Sequence, residues 1–211
     1  MSRLAFCSLL ILFTLVFAAG AAAGPVSDKL TPAELAQVKK GEVVVHTDLE
    51  GGAKEGYAAA FGIMRFDDVN RFWSVLSDYD GFPDFLPRVE KAVALKKEEN
   101  RTWLELTING SIKSVTYTNI YTHYPERQRN EWVLDTSRPH EPYTKNTGYW
   151  QLEEISDGVY LVEHQNAVGV DFGPMAVVAN RVMAKMLKND LPKIISNVRR
   201  RVESGGVWKM N

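Results

Sequence analysis

The chain of 211 residues carries a formal net charge of −1 at pH 7, and its residues are 45% hydrophobic and 24% charged. A charge balance this close to neutral does not indicate nucleic acid as a partner, and it gives no charge excess that would keep the chain unfolded. The length suits one domain that buries a substantial core.

Residues 1–24 have the three parts of a secretory signal peptide. A basic start ends at Arg3, an almost wholly apolar run covers Leu4–Phe17, and small residues follow, with Ala21–Ala23 fitting an A-x-A cleavage site. An uncleaved membrane anchor is the alternative, but the apolar run is short for a membrane span and ends in small residues. We therefore expect secretion with removal of this leader.

The single cysteine of the chain, Cys7, lies inside the leader. The mature protein would then contain no cysteine, so neither a disulfide nor a thiol nucleophile is expected. A secreted domain without disulfides depends on its core for stability, and this favours the periplasm over an extracellular scaffold.

Residues 25–54 are predicted to form an N-terminal extension with one short helix and one strand. The helix covers Ser27–Lys40, because Thr31–Glu34 combines a capping threonine, a proline at the first helical position and a glutamate three residues after the cap. The β-branched segment Glu42–Asp48 is typical of a strand, and it can form a hairpin with a second strand at Gly56–Arg65. What the extension adds to the function stays open.

Residues 55–204 are predicted to form the main domain, with residues 205–211 as a tail. After the first strand of this domain come two short helices, one at Asp67–Leu76 with Asp67 as its cap and one that ends at Pro87. Short turns then separate six predicted strands, which favours an antiparallel meander. These strands are Val89–Lys97, Trp103–Asn109, Ser114–Tyr124, Arg127–Leu134, Asn146–Ile155 and Val159–Val168.

The segment Pro174–Glu203 is the longest amphipathic stretch after the leader. Its apolar residues recur at intervals of three and four, so they form one stripe on a helix. Either Pro192 kinks this helix, which is the interpretation we favour, or Asn189 and Asp190 cap a second helix that starts at Leu191. A single long helix after a strand-rich chain must bury its stripe against a sheet. We predict an α+β fold in which a curved antiparallel sheet wraps around the C-terminal helix.

This order of elements resembles the START-like helix-grip superfamily, also called SRPBCC, in its polyketide cyclase/dehydrase and coenzyme Q-binding branch. The resemblance covers Gly56–Glu203 and suggests a secreted bacterial member. The matching motifs are Val69-x-x-Phe72-Trp73-x-Val75-Leu76-x-Asp78-Tyr79, Phe85-Leu86-Pro87, Gly148-x-Trp150-x-Leu152 and Ile194-x-x-x-Val198-Arg199-Arg200-Arg201.

The resemblance implies a cavity between the sheet and the long helix that holds a hydrophobic small molecule. Aromatic side chains on strands and methionines on the helix are candidate walls, although each of them also suits a plain core. The candidates are Trp103, Tyr117, Tyr121, Trp132, Trp150, His164, Met175, Met183 and Met186, with Tyr149 as a further aromatic of the same kind.

We expect the protein to bind or carry a lipid, a quinone or a polyketide-like molecule in the periplasm without catalysis. No catalytic residue, cofactor or metal ligand is predicted, because nucleophile motifs, phosphate loops and metal-like histidine spacing are missing from the sequence. The alternatives are a cyclase-like enzyme that uses His164 or a tyrosine, and an interaction protein whose cavity is filled by its own side chains. His164 shares strand parity with Val162 and Asn166, so it can face the cavity with them.

The predicted partner is a hydrophobic small molecule or lipid, and no nucleic acid is expected. The basic face of the last helix, with Trp208 and Met210 beyond it, suggests transient contact with an anionic membrane surface. The sequence does not determine the oligomeric state.

Overall fold

The computed structural model describes residues 24–48, 55–110 and 113–210. The predicted signal peptide therefore lies outside the described residues, apart from Gly24.

The described helices and strands follow the predicted order. The helices are α1 (Pro32–Lys39), α2 (Val69–Ser77), α3 (Phe82–Phe85) and α4 (Ala176–Glu203). The strands are β1 (Val44–Asp48), β2 (Gly56–Arg65), β3 (Val89–Glu98), β4 (Arg101–Asn109), β5 (Ser114–Tyr124), β6 (Arg129–Leu134), β7 (Tyr143–Ser156) and β8 (Val159–Val170).

The eight strands form one antiparallel sheet in the order β1-β2-β8-β7-β6-β5-β4-β3. Strands β3 to β8 make the predicted meander, and the hairpin between β7 and β8 turns at Gly158, whose φ of 63° suits glycine. Strand β2 pairs with β8, so the first long strand and the last one lie side by side. The α+β helix-grip fold is confirmed.

Helix α4 is continuous through Pro192, so the alternative of a second helix is wrong. Leu191 and Ile195, which flank the proline on the apolar stripe, are fully buried against the sheet. We attribute the survival of the helix at this position to that packing, because burial of two large aliphatic side chains offsets the cost of an interior proline.

Helix α4 passes very close to β2. A Cβ atom added at Gly62 would lie 2.6 Å from Ile195 Cγ2, and one added at Gly56 would lie 2.7 Å from the backbone nitrogen of Ala184. Any side chain at either glycine would push the helix away from the strand. At the start of the helix, the buried amide of Asn180 accepts from the Val170 backbone nitrogen at 2.9 Å, which ties α4 to the end of β8.

The cap of α2 differs from the prediction. Asp68, not Asp67, occupies the capping position, and its Oδ1 accepts from the Asn70 backbone nitrogen at 2.9 Å. In α1 the predicted capping box is present, with Thr31 and Glu34 exchanging hydrogen bonds. That helix is shorter than predicted, because Ser27–Lys29 forms a separate 3-10 turn.

The N-terminal extension packs on the outer face of the sheet, opposite α4. Side chains of β2 alternate between the two faces, so Ala60 joins the core beneath α4 while Phe61 joins a second apolar cluster. Val26 and Val38 of the extension complete this outer cluster, together with Leu161 of β8. The extension therefore covers the back of the sheet, and β1 lengthens the same sheet by one strand.

Polar contacts fasten the beginning of the extension to the same outer face. The Ser27 hydroxyl donates to Glu153 at 2.8 Å, and Lys29 Nζ lies 2.6 Å from the buried carboxylate of Glu163. Tyr149, considered above as a cavity aromatic, donates its hydroxyl to Glu163 at 2.6 Å and so belongs to this outer network. Charged groups as well as apolar ones thus hold the extension in place.

We predict that the extension unfolds together with the rest of the domain. Val38→Ala should lower the free energy of unfolding by about 1–3 kcal/mol, because it removes buried methyl groups from the outer cluster. Chemical denaturation in urea measures the change. The matched control is Val207→Ala at a position that is 73% exposed, which should stay within about 0.5 kcal/mol of the wild type. If Val38→Ala changed the free energy of unfolding as little as Val207→Ala does, the extension would not unfold together with the rest of the domain.

Candidate functional site

A cavity of about 180 Å³ lies between the inner face of the sheet and α4. Strands β4 to β8 supply one wall, and the middle of α4 supplies the other. The turn between α3 and β3 closes one side with Leu86, Pro87 and Arg88. Most of the wall is apolar, including Leu106, Ile108, Val168, Met183, Leu187 and Ile194.

Aromatic rings form the floor of the cavity. Trp150 stacks on the imidazole of His164, with ring centroids 4.0 Å apart and planes within 17° of parallel. Trp132 lies beside them, and its Nε1 donates to Asn146 Oδ1 at 3.0 Å. The indole of Trp132 rests on the backbone at Gly148, where an added Cβ would lie 2.2 Å from Trp132 Cζ2. The glycine of the Gly148-x-Trp150 motif thus makes room for a cavity wall.

Seven of the nine predicted candidates line this cavity: Tyr117, Tyr121, Trp132, Trp150, His164, Met183 and Met186. Strand parity accounts for the five from the sheet, and the apolar stripe of α4 accounts for the two methionines. His164 and Asn166 share the inner face with Val162, as their parity predicts. Whether these residues bind a ligand stays a prediction.

Two candidates lie elsewhere. Trp103 does not line the cavity, because its neighbour Leu104 points inward and alternation places Trp103 on the outer face. There the Lys96 ammonium sits 4.8 Å from the centre of the indole ring. Met175 is 58% exposed in the turn that precedes α4, one residue before the first turn of the helix. The prediction that Trp103 and Met175 line the cavity is therefore wrong.

Three buried asparagines of the cavity wall are not among the candidates that the sequence predicts. Asn119 lies midway between Tyr117 and Tyr121 on β5. Asn130 lies two residues before Trp132, and Asn146 lies two residues before Gly148. All three are at most 5% exposed. The parity that identified the neighbouring aromatic residues would have identified these amides as well.

Several polar atoms in the cavity wall have no hydrogen-bond partner among the described residues. They are Asn119 Oδ1, Asn130 Oδ1, Asn166 Oδ1 and His164 Nδ1. The amide of Asn146 differs, because it accepts from Trp132. A buried amide without a partner costs about 1–3 kcal/mol. The wall therefore carries polar groups that the protein itself does not satisfy.

The titratable groups of the cavity are held in their uncharged forms. Burial lowers the pKa of His164 to about 3, and a hydrogen bond with the Tyr149 backbone acts in the opposite direction. Burial also raises the pKa of Tyr117 far above its ordinary value, with the nearby Tyr143 adding to the shift. The pKa values of Tyr121 and Tyr143 are raised for the same reason. At neutral pH the imidazole and the phenols of this wall carry no charge.

Charged side chains occur at one side of the cavity. Arg88 at the start of β3 and Asp190 on α4 form an ion pair with Nε and Oδ2 2.5 Å apart. Within the described ranges, no three His, Cys, Asp or Glu side chains lie close enough together to hold a metal ion.

A family profile described as "Polyketide cyclase / dehydrase and lipid transport" matches residues 68–196. The match covers α2, the strands β3 to β8 and most of α4, and therefore all of the strands and helices that enclose the cavity. No curated protein matches the chain.

Solved structures show the same fold at low sequence identity. The Zhui aromatase/cyclase from a Streptomyces species has a TM-score of 0.62 at 13% identity, over 71% of this chain and 94% of that one. A STAR-related lipid transfer protein from Xanthomonas axonopodis has a TM-score of 0.61 at 15% identity, over 76% of this chain and 93% of that one. A START superfamily protein from Mycobacterium smegmatis has a TM-score of 0.56 at 16% identity, over 70% of this chain and 97% of that one. At these identities the likeness establishes the fold alone.

The neutral, buried imidazole of His164 predicts a loss of stability in acid. Since its pKa is about 3 in the folded state and about 6.5 when unfolded, the unfolded chain binds the extra proton first, and stability falls as the pH drops below about 6.5. Between pH 7 and pH 4.5 the wild type should lose on the order of 2–3 kcal/mol more than His164→Gln. Urea denaturation at both pH values measures the difference. If the free energy of unfolding of the wild type and of His164→Gln changed equally with pH, the prediction would be contradicted.

Proposed function

Since the chain belongs to the polyketide cyclase / dehydrase and lipid transport family, we propose that it carries a hydrophobic small molecule in the cavity between its sheet and α4. The observation that supports this most directly is the mainly apolar wall of aromatic, aliphatic and methionine side chains around a partly open cavity. Small-molecule sites are typically of this kind, with few polar groups among many apolar ones.

Transport without catalysis fits the titration of the cavity groups. A general base works best when its pKa is near the operating pH. Burial lowers the pKa of His164 to about 3, and this makes the imidazole a weak base. The phenols of Tyr117 and Tyr121 hold their protons firmly for the same reason.

Catalysis is the second candidate, and one observation favours it. His164, three tyrosines and five asparagines line one cavity, which is more polar than a simple carrier requires. One of the structural relatives is an aromatase/cyclase. Neutral phenols and amides can still polarise a bound carbonyl group, so a cyclisation or dehydration that needs no strong base is compatible with this wall.

We place this activity in the periplasm, on the strength of the leader at residues 1–24 and of the absence of cysteine from the rest of the sequence. In the part of the chain that the structure describes, no helix is both long and apolar enough to cross a bilayer.

A transient membrane contact would let the carrier collect or deliver its ligand. The sequence suggested the basic face of the last helix, with Trp208 and Met210 beyond it, for this contact. Of these, Trp208 packs against the main core, and the Arg200 guanidinium lies 5.4 Å from its ring centre. Exposed apolar side chains are found around the beginning of the same helix, at Phe172, Met175, Val177, Val178 and Val182.

The surroundings of this apolar cluster suit an anionic membrane. The exposed cations Arg181, Lys185 and Lys188 lie on the same half of α4 as Val178 and Val182. By helical spacing the exposed valines neighbour Met186, which lines the cavity. A helix that touches the bilayer with this surface would bring one side of the cavity to the lipid.

The carrier proposal is tested by extracting the purified mature protein with organic solvent and identifying the released molecule by mass spectrometry. We expect one hydrophobic compound in a near-stoichiometric amount. A protein that yields nothing and also fails to bind a panel of fluorescent lipids would contradict the proposal. The same experiment separates the two candidates: fresh ligand that keeps its mass after incubation indicates a carrier, whereas conversion by the wild type but not by His164→Ala indicates an enzyme.

The membrane contact predicts a specific loss of vesicle binding. Val178→Asp combined with Val182→Asp should lower the fraction bound to phosphatidylglycerol vesicles about tenfold or more, because it removes apolar contact and adds like charge. Co-sedimentation measures the bound fraction, and both positions are exposed, so the melting temperature should change little. Val207→Asp, a substitution at an exposed valine of the C-terminal tail, is the control. Equal binding by all three proteins would contradict the assigned surface.

A further inference from the structure

We infer that Lys29 of the N-terminal extension positions the floor of the cavity from the opposite face of the sheet. It acts through Glu163 and Tyr149, whose next neighbours in sequence are His164 and Trp150 of the floor. The inference rests on the proposed function and deepens it, because it gives the extension a part in setting the affinity for the ligand.

The carboxylate of Glu163 depends on the extension for its charge balance. Its side chain is 1% exposed, and among the described residues Lys29 is the one cation within ion-pair distance, with Nζ and Oε2 2.6 Å apart. The Tyr149 hydroxyl donates to the other carboxylate oxygen at 2.6 Å, and Lys29 Nζ lies 3.0 Å from that hydroxyl. A buried carboxylate that loses its cation has to gain water or move toward solvent, because an unpaired charge in a protein interior is costly.

Two further contacts tie the start of the extension to β7. The Gln151 side-chain amide donates to the Gly24 carbonyl oxygen at 3.4 Å. The backbone nitrogen of Ser27 donates to Glu153 Oε2 at 2.7 Å. Val26, which lies between them, is fully buried in the outer apolar cluster. The polar contacts give the extension a defined place on the sheet, which the apolar contacts alone would not do because hydrophobic contact is non-directional.

The outer-face contacts and the cavity floor belong to the same two strand segments. Trp150 lies opposite His164 in the ladder of β7 and β8, and their rings stack with centroids 4.0 Å apart. Successive side chains point to opposite faces of a sheet, so a displacement of Tyr149 or Glu163 also displaces the backbone that carries the floor rings. The Tyr149 backbone contacts the floor directly as well, through a hydrogen bond with the His164 imidazole. A close-packed interior passes on such small displacements.

The extension acts on the cavity from a distance. None of its described residues lines the cavity, so an effect of Lys29 on binding has to pass through the sheet. The family profile begins at residue 68, so the extension lies outside the matched part of the chain. The control exerted by Lys29 is therefore an addition of this chain to the part that the family profile describes.

Tryptophan side chains report the position of the floor without any ligand. The chain has five tryptophans, and each gives one indole N–H signal in the NMR spectrum of the ¹⁵N-labelled mature protein. In Lys29→Met, which keeps an apolar stem and removes the cation, we expect the signals of Trp150 and Trp132 to move by more than a linewidth. Trp103, on the outer face of β4, should keep its signal. Changes confined to residues of the outer face would overturn the inference.

The affinity for a probe shows whether the position of the floor matters for binding. N-phenyl-1-naphthylamine, whose fluorescence rises in apolar surroundings, is titrated into the wild type and into Lys29→Met. We expect the dissociation constant to rise about fivefold or more, within the range of coupling found for substitutions that do not touch the ligand. An unchanged dissociation constant would overturn the inference and leave the hydrophobic carrier intact.

Three control variants separate the role of Lys29 from a general loss of stability. Lys29→Arg keeps the positive charge and should behave like the wild type in both measurements. Lys39→Met, the same change at an exposed residue of α1, should alter neither. Val38→Ala loosens the outer cluster but keeps the ion pair, so it should lower stability and leave the Trp150 signal and the dissociation constant unchanged. If Val38→Ala and Lys29→Met had the same effect on both, the assigned role of Lys29 would be wrong.

The double variant Lys29→Met with Glu163→Gln decides the question if the lone carboxylate prevents folding. It has no unpaired charge, yet it lacks the ion pair, so the Trp150 signal should still move. A wild-type signal in this variant would overturn the inference. A wild type that binds neither N-phenyl-1-naphthylamine nor the fluorescent lipids would contradict the proposed carrier instead, while the indole signals still test the position of the floor.

Discussion

The close approach of α4 to β2 is the contact on which the rest of the structure depends. Glycines at positions 56 and 62 and alanines between them let the helix lie almost on the backbone of the strand. The helix is thereby held at the end of the sheet formed by β1, β2 and β8. The strands from β4 to β7 curve away beneath it and carry large aromatic side chains, and the space between those rings and the middle of α4 is the cavity. A bulkier β2 would lift the helix and change the shape of the site.

The same strand explains why an extension precedes the domain. β2 is buried along nearly its whole length, so both of its faces need a cover. Helix α4 covers the inner face, and Val26 and Val38 cover the outer one. The ion pair of Lys29 with the buried Glu163 and the hydroxyl of Tyr149 add polar contacts to this cover. The extension thus supports the strand that positions α4, and none of its described residues lines the cavity.

The fold was predictable because it depends on periodicity. Alternating strands, the apolar stripe of α4 and the order of elements all follow from spacing, and spacing survives large changes in sequence. The errors came from judging residues by type. Aromatic character alone suggests Trp103 as a wall residue, although Leu104 beside it occupies the inner face. Residue type alone also argues against Asn119 and Asn130, because polar strand residues usually face water, although their parity is that of the inward-facing aromatic residues. The path of α4 through Pro192 could not be decided from the sequence, since it depends on packing against β2.

The cavity wall combines a well-packed frame with buried amide oxygens that have no partner among the described residues. Each open acceptor costs about as much as one good hydrogen bond contributes, and an aliphatic side chain at the same position would remove that cost. Trp132 and Asn146 show that a paired amide is possible in this wall, so the fold itself does not require the open ones. Departures from self-consistency of this kind are expected at binding sites. The imidazole and the phenols of this wall are uncharged as well, so the wall avoids the desolvation cost that ionised groups would add.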